Sequence, residues 1–273
     1  LVGSATPSQP RVSNIAMFSL GKVCGKLLRS DVRGVWLAGR FRCKRALPVN
    51  HEFFAEAARC NIWTQETAWV YGWLLADGNV SASSTSPKVA LGVQRCDQDV
   101  IEKIRGHVRS EHKIFPFTGP YMKRCGSLAE SSYWGFVSRR MAADLSTLGI
   151  VPRKSHIATF YSGLFAPANA SVVRHAARGY FEGDGCLHFR RQGSWEVTFA
   201  GTLEVMQALQ GLVTRDGGLV AKGGLTFRKG STWALRYSGN RCVPQLCKWL
   251  YDHAHPECVL RRKELLAKQA MAG

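Results

Sequence analysis

Two aspartates, Asp77 and Asp184, stand at matched places in the chain, and what a pair of carboxylates can do sets the first expectation. Each closes a helix-like run, apolar in the first copy, and is followed by glycine: Val70-Tyr-Gly-Trp-Leu-Leu-Ala-Asp77-Gly78 and Ala177-Arg-Gly-Tyr-Phe-Glu-Gly-Asp184-Gly185, 107 positions apart. Small residues lie five and one positions before each acid, Gly72 and Ala76 in the first copy and Gly179 and Gly183 in the second. Positions four apart share a helix face, so each helix carries a flat stripe. Two such stripes let backbones pack closely. If the helices pair, Asp77 and Asp184 meet at the negative ends of two helix dipoles, a placement that costs ~0.3–1 kcal/mol for each acid. A divalent cation would offset that cost. Oxygen donors suit Mg²⁺, which keeps several waters and also takes phosphate oxygens. The chemistry implied is phosphodiester hydrolysis, with metal ions activating water and steadying the entering and leaving oxygens. A single Asp-Gly would more simply end a helix on a left-handed glycine. Two copies with the same small-residue offsets point instead to a built pair.

The elements that must hold this pair repeat as well. Thr64 is placed to cap the first helix, with Glu66 in its first turn, and Asn169 or Ser171 to cap the second. The apolar neighbours Val70, Trp73, Leu74, Tyr180 and Phe181 are expected to bury against sheets. Strand-like alternation follows each motif, over Lys88–Gln94 and Trp195–Ala200, then a helical stretch, over Asp99–Val108 and Leu203–Leu212. Further strands are predicted at Tyr133–Ser138 and Trp233–Ser238, each before another helix. One order of elements occurring twice indicates an internal duplication. The prediction is an α+β chain of two repeats, residues 51–165 and 166–273, preceded by a distinct segment of residues 1–50.

Composition narrows the partner. The chain has 273 residues, 45% of them hydrophobic, enough for a sizeable core. Its 37 Lys and Arg against 19 acids give a net charge of +18, which favours polyanions. Residues 1–50 hold nine of the basic residues and one acid, Asp31, a composition shared by organelle-targeting segments and by arms laid along phosphate backbones. The nine cysteines include no Cys-x-x-Cys pair, as expected of a reducing compartment. The spacing of Cys242, Cys247, His253, His255 and Cys258 fits no closed zinc pattern and reads as packing. The strongly apolar run Ala68–Ala76 is far shorter than the ~20 residues of a bilayer span, so no membrane anchor is expected.

The two motifs and their spacing resemble the LAGLIDADG homing endonucleases, in the single-chain form where two repeats make a monomeric pseudo-dimer. The resemblance covers most of residues 50–273. It implies paired helices that hold two saddle-shaped antiparallel sheets over duplex DNA, with Asp77 and Asp184 binding Mg²⁺ or another divalent cation for site-specific cleavage. It further implies catalytic roles for Gln94, with Arg95 beside it, and for Lys154 and Lys263, each expected to begin the last helix of its half. Ala200 and Gly201 fall where the second repeat would place its counterparts of Gln94 and Arg95, a departure from a symmetric site. On or beside the strands, Lys88, Arg95, Lys123, Arg190, Gln192, Arg228 and Arg236 are the candidates for DNA contact, Arg and Lys suited to guanine and Gln to adenine. Trp134, Trp195 and Trp233 read as core. The same resemblance admits a non-cutting alternative that binds structured RNA, as an intron splicing helper or a component of a mitochondrial or chloroplast ribonucleoprotein. The intact acid pair favours the enzyme; the basic N-terminal segment and Ala200 favour the alternative.

Overall fold

The computed structural model describes residues 47–122, 128–219 and 223–272; most of the basic N-terminal segment, and the candidate contact Lys123, lie outside the described residues. Helix α1 (Ala55–Cys60) ends on Asn61 in the left-handed region, φ 56°, and the chain turns into α2 (Gln65–Ala76). Thr64 caps α2 as expected, its hydroxyl accepting from the Thr67 amide at 3.2 Å. From Thr67 to Ala76 every residue of α2 is buried. A helix that is apolar all round belongs in an interior.

Its counterpart α5 (Val173–Asp184) starts later than the sequence suggested and has no side-chain cap. Asn169 instead sits buried in a short 3-10 turn, Pro167–Asn169, where its amide donates to the Gly163 carbonyl at 3.0 Å and to the Asn61 carbonyl at 3.4 Å. Those bonds tie the linker between repeats to the first repeat, and they occupy the side chain that a cap would need.

After α2 come β1 (Gly78–Val80), β2 (Lys88–Gln94), α3 (Gln98–His107), β3 (Phe115–Met122), β4 (Leu128–Val137) and α4 (Arg139–Thr147). After α5 come β5 (Gly185–Arg190), β6 (Ser194–Gly201), α6 (Leu203–Arg215), β7 (Gly224–Lys229), β8 (Thr232–Ser238), α7 (Cys242–Tyr251) and α8 (Arg261–Ala272). The strands form two antiparallel four-stranded sheets in the same order, β1-β2-β4-β3 and β5-β6-β8-β7. Each sheet turns one face inward, Val89, Leu91, Val93, Trp134 and Phe136 in the first and Val197, Phe199, Leu235 and Tyr237 in the second. Alternation along each strand leaves the other face outward. Trp134 is buried, while Trp195 and Trp233 pack half-buried against the core, edge-on to Phe189 and Phe227.

One placement differs from expectation. Lys154 does not begin an α-helix; it lies in a single 3-10 turn, Lys154–His156, entered through Arg153 at φ 61° after Pro152. Proline followed by a left-handed residue blocks continuation of a helix at this point. Lys263, in contrast, lies in the first turn of α8.

Candidate functional site

Helices α2 and α5 pack backbone to backbone. A methyl group on Gly72 would strike the Ala176 carbonyl, and one on Gly179 would strike the Trp69 carbonyl. A methyl on Gly183 would lie 2.5 Å from the Ala76 side chain. These are the small residues that the sequence set on one face, and only glycine fits at this crossing. The glycine after each aspartate serves the same end. Neither has a positive φ; each begins a strand, and a side chain on Gly78 would meet the Leu74 backbone, on Gly185 the Phe181 backbone and ring. Close approach, and not a left-handed cap, explains glycine there.

The packing brings the acids together. An Asp77 carboxylate oxygen lies 3.4 Å from the point where a Gly183 side chain would start, one residue before Asp184. Burial and the facing Asp184 push the Asp77 carboxyl up to about 7, while Lys154 and Lys263 pull the other way. Both lysines are buried. The Lys154 ammonium donates to the carbonyls of Leu75, at 2.6 Å, and Ala76, at the end of α2. The Lys263 ammonium donates to the carbonyls of Phe181, Glu182 and Gly185, each at 2.7 Å, at the end of α5. A cation on the last carbonyls of a helix satisfies orphan acceptors and offsets the dipole. An ammonium has three hydrogens, so Lys263 has none left to give a substrate. Burial lowers the proton affinity of both, Lys263 to about 8.

The donor set suits a hard divalent cation. Two carboxylates converge with raised proton affinity at Asp77, and the nearest cations spend their hydrogens on backbone carbonyls. Among the described residues no group of three or more His, Cys, Asp or Glu clusters for a metal. Mg²⁺ fits one or two carboxylates completed by water and phosphate oxygens.

Around the pair lie residues that the sequence reading did not single out. Asp97, in a 3-10 turn that follows β2, holds Arg262 of α8 through two bonds of 2.9 Å and 2.7 Å, joining one repeat to the other beside Lys263. Glu182, buried in α5, accepts from the indole nitrogens of Trp69 at 2.8 Å and Trp73 at 3.2 Å, both on α2. One turn earlier Arg178, fully buried, donates to the carbonyls of Leu250 at 3.0 Å and Cys258 at 3.1 Å and to His175 Nδ1 at 2.8 Å. Burial, with Arg178 alongside, holds His175 neutral, its proton affinity down to about 3. A signal was present: Arg178 and Glu182 are charges four apart inside the second motif, at the places where the first motif has the uncharged Tyr71 and Leu75.

Gln94 ends β2 exposed, with Arg95 exposed after it, on the strand leading to Asp97. Because Gly78 pairs with Leu91 and Gly185 with Phe199, the register puts Thr202, not Ala200, opposite Gln94 in the pseudo-symmetry. Thr202 is buried; it accepts from the Val205 amide as the cap of α6 and donates to the Ala158 carbonyl at 2.7 Å. The asymmetry between halves therefore stands, on a different residue.

The outward sheet faces differ in chemistry. On the first, Lys88, Tyr133, Phe115, Phe117 and Gln94 point outward, Lys88 with its ammonium 4.8 Å from the Tyr133 ring centre. On the second, Glu196 lies between Arg190 at 3.6 Å, Arg236 at 3.4 Å and His188 at 4.0 Å. Gln192 is exposed in the β5–β6 turn, and Arg228 is exposed on β7. Cys247 and Cys258 are buried in the core, Cys242 half-buried beside them. No described helix is long and apolar enough to cross a membrane.

The sequence matches no protein-family model and no curated protein. Solved structures do match. The homing endonuclease I-WcaI bound to its DNA recognition sequence is 11% identical, with a TM-score of 0.53 over 77% of this chain and 91% of that one. The LAGLIDADG meganuclease I-AabMI bound to uncleaved DNA is 12% identical, with a TM-score of 0.48 over 75% and 88%. The N-terminal LAGLIDADG domain of DUF199/WhiA is 10% identical, with a TM-score of 0.47 over 80% and 95%. At 11% identity the likeness to I-WcaI speaks for the fold, two pseudo-symmetric repeats with paired central helices.

Proposed function

We propose that this chain, which has the LAGLIDADG fold, is a site-specific, divalent-metal-dependent endonuclease of duplex DNA. The observation that carries the reading is the convergence of Asp77 and Asp184 at the ends of two glycine-packed helices, with Asp77 driven up in proton affinity by burial and by its partner. Stability alone gives no reason to place two acids there. A bound divalent cation would supply a hydroxide-like nucleophile from water and neutralise charge on the phosphate.

The chain's own residues contribute the frame. Asp77 and Asp184 would hold the metal; Lys154 and Lys263 fix the two helix ends and balance part of the carboxylate charge. Gln94 and Arg95, exposed at the end of the strand whose Leu91 pairs with Gly78, would hydrogen-bond phosphate or water. The net charge of +18 supplies the general attraction to the polyanion, so affinity falls with salt by about 0.9 in log K per phosphate contact and decade of salt. Lys88, Arg190, Gln192, Arg228 and Arg236 face outward on the sheets or their turns, where base edges can be read.

The test is recovery of cut sites from a randomised duplex library incubated with the full chain and Mg²⁺, beside Asp77→Asn and Asp184→Asn. Wild type should yield one defined site and both variants none, with DNA affinity retained. Equal cutting by all three proteins, or no cutting at all together with a specific RNA bound from native extract, would overturn the proposal.

A further inference from the structure

The two outward sheet faces carry side chains suited to different bases. On the first sheet, cross-strand pairing sets Gly92, Tyr133 and Phe115 in one row and Gln94, Ser131 and Phe117 in the next, with Lys88 opposite Val137 farther along. Phe115 is 57% exposed, Phe117 47% and Val137 53%, all on this outward face. Exposed phenylalanines grouped on one face mark a contact surface. Among the described residues the second sheet has no such group on its outward face; its exposed Phe189 and Phe227 pair with Trp195 and Trp233 on the opposite face. On the outward face Glu196, buried to 8% exposure, is flanked by Arg190, Arg236 and His188.

We infer that the two repeats read half-sites of different composition: the first sheet contacts thymine methyl groups through Phe115 and Phe117, and the second reads guanines of G·C pairs through Arg190 and Arg236, positioned by Glu196. This rests on the proposed binding of duplex DNA. In the major groove only thymine offers an apolar group, its C5-methyl, and phenylalanine is a partner for it. Residues two apart on a strand are separated by ~6.6–6.8 Å, about twice the base-pair rise, so Phe115 and Phe117 can meet methyls two steps apart. Lys88 and Arg95, at the two ends of β2, supply charge for the flanking phosphates.

Stacking on unpaired bases is the competing use of exposed rings. It needs open ring faces in series, and the third aromatic of the patch, Tyr133, has its face occupied by the Lys88 ammonium. The observations therefore favour edge contacts in a duplex groove. On the second sheet an arginine can bridge guanine O6 and N7. Glu196, buried between them, holds Arg190 and Arg236 together, which keeps their guanidinium groups at fixed places on the face.

The experiment is selection of bound duplexes from a randomised library by the full chain, with Ca²⁺ in place of Mg²⁺ to hold back cleavage. Binding to the selected site is then measured with each thymine replaced by uracil, which lacks only the methyl group. The expected site has a thymine-rich half and a G·C-rich half. Uracil in the thymine-rich half should weaken binding about fourfold for each contacted methyl, from the burial energy of a methyl-sized group. Phe115→Ala and Phe117→Ala should erase that sensitivity in this half alone, leaving the salt slope and the other half-site preference unchanged. Glu196→Gln should relax preference only in the G·C-rich half. A specific site that tolerates uracil, or halves of equal composition, overturns the inference while leaving the endonuclease reading intact. Failure to select any duplex, or tighter binding to single strands lost in both Phe variants, overturns both.

Discussion

The indole N–H of Trp69 donates across the helix pair to the carboxylate of Glu182, 2.8 Å away, so a buried acid of one repeat is held by the other. Trp73 donates to the same oxygen at 3.2 Å. Burial raises the proton affinity of Glu182, and Arg178, with hydrogen bonds from the Trp69 side, opposes the shift. A lone acid in such a place would be costly; here it fixes how the two helices face each other.

Trp69→Phe keeps most of the ring and removes the donor. It should lower unfolding free energy by about 1.5–3 kcal/mol, the usual worth of a hydrogen bond to a charged group. In a double-mutant cycle with Glu182→Gln the losses should fall short of additivity by ~0.5–3 kcal/mol. Denaturant midpoints of the four proteins measure this; strictly additive losses would show that the two side chains do not interact.

Lys263 offers a test between a structural and a purely chemical role. Its three ammonium hydrogens reach three carbonyls at the end of α5. Lys263→Met should therefore destabilise the fold by about 3 kcal/mol, as expected when a buried charge is removed from its partners. Lys263→Arg should restore little of it, because a planar guanidinium cannot aim three N–H groups where an ammonium does. Lost DNA cleavage with an unchanged unfolding midpoint would contradict this and return Lys263 to the phosphate.

Proton linkage at Asp77 has a definite sign. The folded carboxyl titrates near 7 and the unfolded one near its ordinary 3.8, so between these values the folded state binds more protons. Stability from this group is then full below about pH 4 and is lost as pH rises towards 7. Asp77→Asn removes the loss. In a metal-free buffer its Tm advantage over wild type should grow from pH 4 to pH 7 and level off above. Added Mg²⁺ should shrink the advantage by stabilising wild type alone. A Tm difference constant across this range would mean that neither burial nor the facing Asp184 raises the proton affinity of Asp77.

The helix pair was legible because its requirements are local: a small residue at each fourth position and an acid before a glycine can be read without knowing the partner. Strands β2 and β6 were legible for the same reason, as clean alternation bounded by turn residues. Strand β3 was not, since Pro116, Gly119 and Pro120 break the pattern and are tolerated only at a sheet edge. Strand β7 is exposed almost throughout, so it has no buried face to alternate with. The Asp97–Arg262 pair and the indole bonds to Glu182 join residues more than 100 positions apart, a relation that no spacing rule in one sequence contains. The counterpart of Gln94 was misplaced by two residues because register depends on the ladder, where Leu91 answers to Phe199.

Glycine substitutions give opposite signs at positions that look alike in sequence. In α3, Gly106 is exposed and a methyl there meets nothing within 4 Å; Gly211 in α6 is the same. Alanine at either should stabilise the chain by about 0.4–1 kcal/mol, mainly by restricting the unfolded state. In the helix pair a methyl on Gly72 or Gly179 would strike a carbonyl of the opposite helix. The helices must then separate, opening the contact along which both repeats are buried and moving Asp77 away from Asp184. The expected cost is at least about 3 kcal/mol, the upper end for an overpacked core. At about 2–4 °C per kcal/mol for a chain of this size, Tm should fall by several degrees and more. Cleavage should fall with it even at temperatures where Gly72→Ala remains folded, because the proposed cation would lose one of its two carboxylates. The measurement is Tm and Mg²⁺-dependent cleavage for the four single variants. If Gly72→Ala and Gly179→Ala match Gly106→Ala in both, close helix contact is not what brings the acids together.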